Sequence, residues 1–195
     1  MTDITARVLT EDQWPTYRGI RLAALQEDPH AFTASYDEEL RYDERQWRAG
    51  LRRADRLVAE RDGRTLGVVS VGPSADSART ADVFGLWVLP EVRNTGVAWR
   101  LVEAAADRAA SNGFEQLYYW VSTQNGRAIG FATNFGFRGT SHRRTARAPS
   151  EEFGDQEIAL VLPLAPDPSV GVSNPQGPRL QAQPGPAGDA TARHS

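Results

Sequence analysis

Apolar and polar residues alternate with period two in "ITARVLT" near the start of the chain, which predicts a first strand. "TEDQ" (Thr10 to Gln13) follows in the form of a capping box, with Thr10 and Gln13 placed to satisfy the first orphan amides of a helix. Trp14, Tyr17, Arg21 and Leu25 then recur at helical spacing, with Ile20 and Ala24 beside them, so a helix should run to about Gln26. Pro15 is tolerated in its first turn, and Asp28-Pro29 ends it. "SYDEELRYDERQWRAGL" reads as one acidic helical stretch, with Ser35 and Glu38 as another capping box.

The strongest hairpin signal is "RLVAERDGRTLGVVSVG", where two alternating runs flank Asp62-Gly63, a preferred short-turn dipeptide. "ADVFGLWVL" is a fourth strand, mostly apolar and therefore central, closed by Pro90. "TGVAWRLVEAAADRAASNGF" is a long amphipathic helix. Val97, Leu101, Val102, Ala105 and Ala109 line one of its faces, and Asn112-Gly113 is its stop signal. "QLYYWVST" is a fifth strand, Asn125 to about Phe135 a short helix, and "FRGTSHRRTA" with "QEIALVLPL" a final antiparallel pair. The order β, α, α, three antiparallel strands, α, β, α, β, β describes a mixed α/β sheet rather than a doubly wound parallel one.

Composition sharpens the boundaries. After Leu164 there is no aromatic residue, and Pro, Gly, Gln, Ser and Ala dominate. Residues 165–195 therefore cannot bury enough apolar surface to offset their ordering entropy and are expected to be a disordered tail behind a domain over residues 1–164. The net charge of -3 argues against sequence-independent nucleic-acid binding, which needs a dense basic face. The basic run "HRRTAR" (His142 to Arg147) reads as partly exposed strand residues. With no cysteine there is no disulfide, thiolate metal site or cysteine nucleophile, and no metal-ligand cluster is apparent. The N-terminal stretch lacks the pattern of a signal peptide and no apolar run reaches membrane-spanning length, so a cytoplasmic protein without membrane partners is expected.

The segment that carries chemistry is "LWVLPEVRNTGVAWRLVEAAADRAA". A strand ends at Leu89-Pro90, and a short loop leads into the long helix. Such a loop presents unpaired backbone amides at the positive end of the helix, an arrangement suited to a pyrophosphate. Gly96 and the small Ala98 allow close approach to the backbone, and Arg93 adds a charge. The loop is neither a Gly-Lys-Ser/Thr P-loop nor the three-glycine dinucleotide fingerprint.

"RNTGVA" (Arg93 to Ala98) resembles the Arg/Gln-x-x-Gly-x-Gly/Ala acetyl-CoA motif of the GCN5-related N-acetyltransferases (GNAT). Leu86, Val88 and Pro90 match the strand leading into it. Asn125, Ala128, Phe131 and Gly136-Phe137 match the second signature, Asn-x-x-Ala-x-x-(apolar)-Tyr-x-x-x-Gly-Phe. The resemblance covers about residues 4–164 and implies the GNAT acyl-CoA N-acyltransferase fold, a mostly antiparallel sheet with splayed fourth and fifth strands. It implies an acetyltransferase that moves the acetyl group of acetyl-CoA directly to an amine of a small molecule or a peptide, without a metal. By the same resemblance the backbone of Trp87 and Val88 should pair with the pantetheine arm, and the amides of Asn94, Thr95, Gly96, Val97, Ala98 and Trp99 should hold the pyrophosphate. Asn125 should face the cofactor arm, and many relatives pair as homodimers through their sheets.

Two positions depart from the family pattern. Ala132 stands where the signature has a proton-donating tyrosine, and Trp120 stands where the ribosomal-protein acetyltransferases have a glutamate. Asp82 remains as the candidate base, at a position where some relatives place a glutamate. Tyr118, Tyr119, Ser122 and Asn134 are candidate replacements for the missing acid, and Ala132 is expected to leave a small space beside the thioester. The acceptor side should be shaped by "DPHAFTASYDEEL", with His30 as a conceivable shuttle and Asp37, Glu38, Glu39, Asp43 and Glu44 as an acidic run able to attract a cationic amine. The departures leave a non-catalytic acyl-CoA-binding module as the alternative to an enzyme, with a protein-interaction domain as a further rival.

Overall fold

The structure is a computed structural model that describes residues 3–150 and 154–164. The tail expected over residues 165–195 lies outside the described residues. Seven strands form one sheet: β1 (Thr5–Val8), β2 (Asp55–Arg61), β3 (Arg64–Pro73), β4 (Thr80–Val88), β5 (Gln116–Ser122), β6 (Arg138–Ser150) and β7 (Gly154–Pro163). Among the described residues five α-helices accompany it: α1 (Trp14–Glu27), α2 (Tyr36–Leu40), α3 (Glu44–Arg53), α4 (Val97–Ser111) and α5 (Gly126–Phe135). The strand order is β1-β2-β3-β4-β5-β7-β6, so the apolar β4 is central, as its composition requires. Its pairing with β5 is parallel and the other pairings are antiparallel.

Local chemistry accounts for the boundaries. The β2–β3 turn places Asp62 and Gly63 at φ 53° and 76°, the left-handed pair a tight hairpin needs. Gln13 Oε1 accepts from the Thr10 amide at 3.0 Å ahead of α1. The acidic stretch expected as one helix is two. Ser35 Oγ accepts from the Glu38 amide at 3.2 Å and starts α2. Asp43 Oδ1 then accepts from the Gln46 amide at 2.8 Å, and Gln46 Oε1 from the Asp43 amide at 2.9 Å. This reciprocal cap breaks the first helix and starts α3 in a new direction.

The sheet carries a core on each face. On one side α4 sets Val97, Leu101, Val102, Ala105 and Ala109 against Leu57, Val69, Ala81 and Val83. On the other, Tyr17, Ile20 and Leu25 of α1 and Trp47 of α3 pack on Val58, Val68 and Trp87. Alternation along β4 therefore sends Ala81 and Val83 to the α4 side and turns Asp82 toward α1. Hydrogen-bonded pairing of β4 with β5 covers only Thr80–Val83 against Gln116–Tyr119. Beyond it the two strands part: β4 continues against β3, and β5 continues against β7.

Candidate functional site

The parting of β4 and β5 opens a cavity of about 480 Å³. Asp82, Phe84 and Leu86 line it from β4, Tyr119 and Trp120 from β5, and Asn125 from the start of α5. The segment after α1, including His30 and Phe32, closes the other side. A β-bulge shapes the β4 wall. Val68 pairs with Trp87 but Ser70 pairs with Phe84, so an extra residue sits in β4 between them. Gly85 lies at that point with φ 63°, a conformation that costs glycine little. The bulge re-aims the strand where it leaves β5. A glycine inside an apolar strand was the available signal, and the sequence reading passed over it.

From Phe84 to Val88 the edge of β4 that faces β5 carries no strand pairing, because the ladder has ended at Val83. This edge leads into the Pro90–Val92 turn and the loop before α4. Asn94 and Gly96 take φ 64° and 92°, bending the loop, and Thr95 Oγ1 donates to the Val92 carbonyl at 2.7 Å. A Cβ added at Gly96 would meet open space, so the glycine is needed for its φ rather than for room within the protein. Helical bonding begins with the Arg100 amide on the Gly96 carbonyl at 3.0 Å, which leaves the Val97, Ala98 and Trp99 amides as first-turn donors. Val97 anchors the turn in the core, Ala98 is partly buried, and the half-exposed Trp99 stacks on Phe135 with ring centroids 4.6 Å apart.

Arg93 is placed differently from a free phosphate ligand. Its Nε donates to the Val88 carbonyl at 3.0 Å, and its Nη2 donates to Asp28 Oδ2 at 2.6 Å. The same carboxylate oxygen accepts from Trp87 Nε1 at 2.6 Å. Asp28 thus ties the end of α1 to the end of β4 and to the loop. Asn125 caps α5, its Oδ1 accepting from the Ala128 amide at 2.9 Å, while the residue lines the cavity.

The expectation for Ala132 is overturned. It is fully buried, packed in the α4-side core with Phe137 and Leu160 nearby, and it does not line the cavity. Residues 128 and 132 lie one helical turn apart on the same face of α5 and both pack on the α4-side core; Ala128, at the start of the helix, also borders the cavity, and Ala132 does not. The alanine is a packing residue of this core. Of the two β5 tyrosines, Tyr119 lines the cavity, and burial pushes its hydroxyl up to about 12. Tyr118 turns to the opposite face, its ring 6.3 Å from Trp120 and 5.8 Å from His142.

Charge in the cavity differs from the acidic patch expected. Of the acidic run only Glu39 reaches the cavity wall, and Arg21 grips it with Nε and Nη2, the latter at 2.8 Å from Oε1. Burial works most strongly against the Arg21 cation, but its hydrogen bonds to Glu39 together with the nearby Tyr17, Glu39 and Tyr42 charges outweigh that and hold its pKa up. Glu44 pairs with Arg48 on the surface. Arg144 of the basic run pairs with Glu157 at 2.7 Å and lies 4.0 Å over the Trp120 ring, as a strand residue rather than part of a phosphate track.

The arrangement combines a strand edge beyond the end of its ladder, the first-turn amides of the helix that follows it, and a cavity with a carboxylate where the two strands part. The sequence model of the acetyltransferase (GNAT) family matches residues 10–137. No curated protein sequence matches the chain. Among solved structures, the N-acetyltransferase from Staphylococcus aureus Mu50 aligns over 84% of this chain and 100% of its own, at 17% identity and a TM-score of 0.65. YncA from Salmonella typhimurium, solved with its cofactor acetyl-CoA, aligns over 85% of this chain and 98% of its own, at 19% identity and a TM-score of 0.65. The ribosomal-protein-alanine N-acetyltransferase from Brucella melitensis aligns over 82% of this chain and 99% of its own, at 19% identity and a TM-score of 0.63. At these identities the likeness is one of fold.

Proposed function

Because this chain belongs to the acetyltransferase (GNAT) family, we propose that it transfers the acetyl group of acetyl-CoA directly to the amine of a small molecule or peptide. The observation that carries the reading is continuity. The unpaired edge of β4 runs from the cavity straight to the first-turn amides of α4. An extended amide-bearing arm fits the first as an added strand, and a pyrophosphate fits the second. Phe84 to Val88 would hold the arm through their backbone, and Asn94 to Trp99 the phosphates.

Acetyl-CoA supplies a thioester whose leaving group has a thiol pKa of about 8.5, so it departs readily near neutrality. The chain's own tasks are to align the amine and to take its proton. Asp82 is the residue proposed to take it, directly or through a water. It is 6% exposed, lines the cavity and lies on the α1 side of β4, opposite Tyr118 in the ladder. Tyr119 keeps its proton across the physiological range and serves as a hydrogen-bond donor to the cavity rather than as a readily titrated acid.

The test is thiol release from acetyl-CoA across α-amines, lysine-like amines and amino sugars, with calorimetry of acetyl-CoA binding alongside. Acceptor-dependent release that falls at least ~10-fold in Asp82→Asn supports the reading. Tight acetyl-CoA binding without release on any acceptor would point instead to a binding module that has lost its chemistry.

A further inference from the structure

Among the described residues three arginines line the cavity, and one of them differs from the others. Arg21 is matched by Glu39 and Arg144 by Glu157. Arg56, on β2, makes no ion pair among the described residues, and its Nε is buried without a hydrogen-bond partner. Its guanidinium lies 5.3 Å over the Tyr17 ring and 5.2 Å over the Phe84 ring. Both rings also line the cavity. Burial pushes the Arg56 pKa down, yet a guanidinium stays charged in proteins. A half-buried cation without an anion is costly, and contacts with two aromatic faces offset only part of that cost.

We propose that Arg56 is the docking point for a carboxylate carried by the amine acceptor, so that the acceptor is an amino acid or a similar small amine with its carboxylate a few bonds from the nitrogen. The inference rests on the reading of this cavity as the acceptor site. Three observations place the charge there. Phe84, under the Arg56 guanidinium, is the first residue of β4 beyond its last pair with β5, so Arg56 stands beside the gap where the acyl group would be presented. A cavity of about 480 Å³ has the size of a small-molecule site. Of the other charges on its wall, Arg21 is matched by Glu39 and Arg144 by Glu157, and Asp82 is the residue proposed as the base, which leaves Arg56, among the described residues, as a cation able to take a new partner. Guanidinium and carboxylate match as a bidentate fork. A carboxylate bound in this way also ceases to stabilise the neighbouring ammonium, which favours the neutral amine. Phe32, Phe84 and Trp120 around the same cavity suit an aromatic side chain and set the choice of probes.

The test uses ligands that need no turnover. Calorimetry in the presence of coenzyme A compares N-acetylphenylalanine with its carboxamide on the full chain, on Arg56→Met and on Arg56→Lys. The acid is expected to bind at least ~10-fold more tightly than the amide, a preference lost in R56M and partly kept in R56K. R56M should melt no lower than the parent, since it removes a buried unmatched cation while keeping most of the stem. Equal binding of acid and amide, binding of neither, or an acid preference that survives in R56M overturns the assignment. Thiol release with phenylalanine and phenethylamine then separates the two levels. An acid preference without release on either amine leaves the Arg56 site standing and refutes acetyl transfer to them. Release on both amines with no acid preference leaves acetyl transfer standing and refutes the role of Arg56.

Discussion

Replacing Asp28 probes how the fold holds the loop before α4 in place. One carboxylate oxygen accepts from Trp87 Nε1 and from Arg93 Nη2, each at 2.6 Å. The two bonds differ in worth because their surroundings differ. Trp87 is 5% exposed, so an indole N–H left unpaired there costs about 1–3 kcal/mol. The pair with Arg93 has side-chain exposures of 30% and 36%, so solvent screens it to about 0–1 kcal/mol. Asp28→Ala should therefore lose about 2–3 kcal/mol, most of it through the indole. Asp28→Asn keeps an acceptor for the indole and gives up only the charge, about 1 kcal/mol. For a domain of this size 1 kcal/mol is about 2–4 °C in Tm. Thermal unfolding followed by near-ultraviolet circular dichroism should then show D28A lower by about 5–10 °C and D28N by about 2–4 °C. Equal losses in the two variants would refute the assignment of the larger share to the indole, and no loss in D28A would refute the strap altogether.

Gly96→Ala places a side chain at φ 92°, where nothing blocks it sterically, so the cost is backbone strain of about 1–2 kcal/mol. If the loop cradles the pyrophosphate, calorimetry should show acetyl-CoA binding weakened by roughly 10-fold; unchanged affinity would place the phosphates elsewhere. Ala132→Tyr puts a phenol at a position with 0% exposure, and overpacking of about 1–3 kcal/mol should lower Tm by several degrees. A variant that melts with the parent and turns over faster would mean that Ala132 borders the reaction after all. The Tyr119 hydroxyl, raised to about 12 by burial, contributes stability that is complete below about pH 10, the ordinary phenol value, and is lost as pH climbs through 12. Urea unfolding between pH 9 and 11.5 should therefore show a steeper fall for the parent than for Tyr119→Phe, and parallel slopes would refute the raised value.

Much of the architecture is written in short-range patterns. Period-two and period-3.6 stretches name the strands and helices, Asp62-Gly63 sets the hairpin, and Pro90 followed by "RNTGVA" sets the strand-loop-helix unit proposed to cradle an anion. These features are local. Backbone sterics, turn chemistry and helix-end amides act over a few residues, so a few residues suffice to read them. The split between α2 and α3 was also local, since Asp43 and Gln46 form a capping box that the acidic composition masked.

The cavity is another matter. Arg56, Asp82, Trp120 and Arg144 are far apart in sequence and meet only because β2, β4, β5 and β6 lie in one sheet and face the segment after α1. Whether a charge is matched depends on partners from other elements. Arg21 finds Glu39 across two helices and Arg93 finds Asp28 at a separation of 65 residues, while Arg56 finds two aromatic rings and, among the described residues, no carboxylate. Ala132 shows the same limit from the other side. Its place in a signature suggested a site, and the rotation of α5 against the sheet put its methyl in the core. The sequence by itself determined the elements, the family and the strand-loop-helix unit around Gly96, because each is encoded by neighbours along the chain. The tertiary structure alone decided which charges are paired, which side chains face the cavity and which are buried, because those follow from register and helix rotation, and both are set by packing at long range.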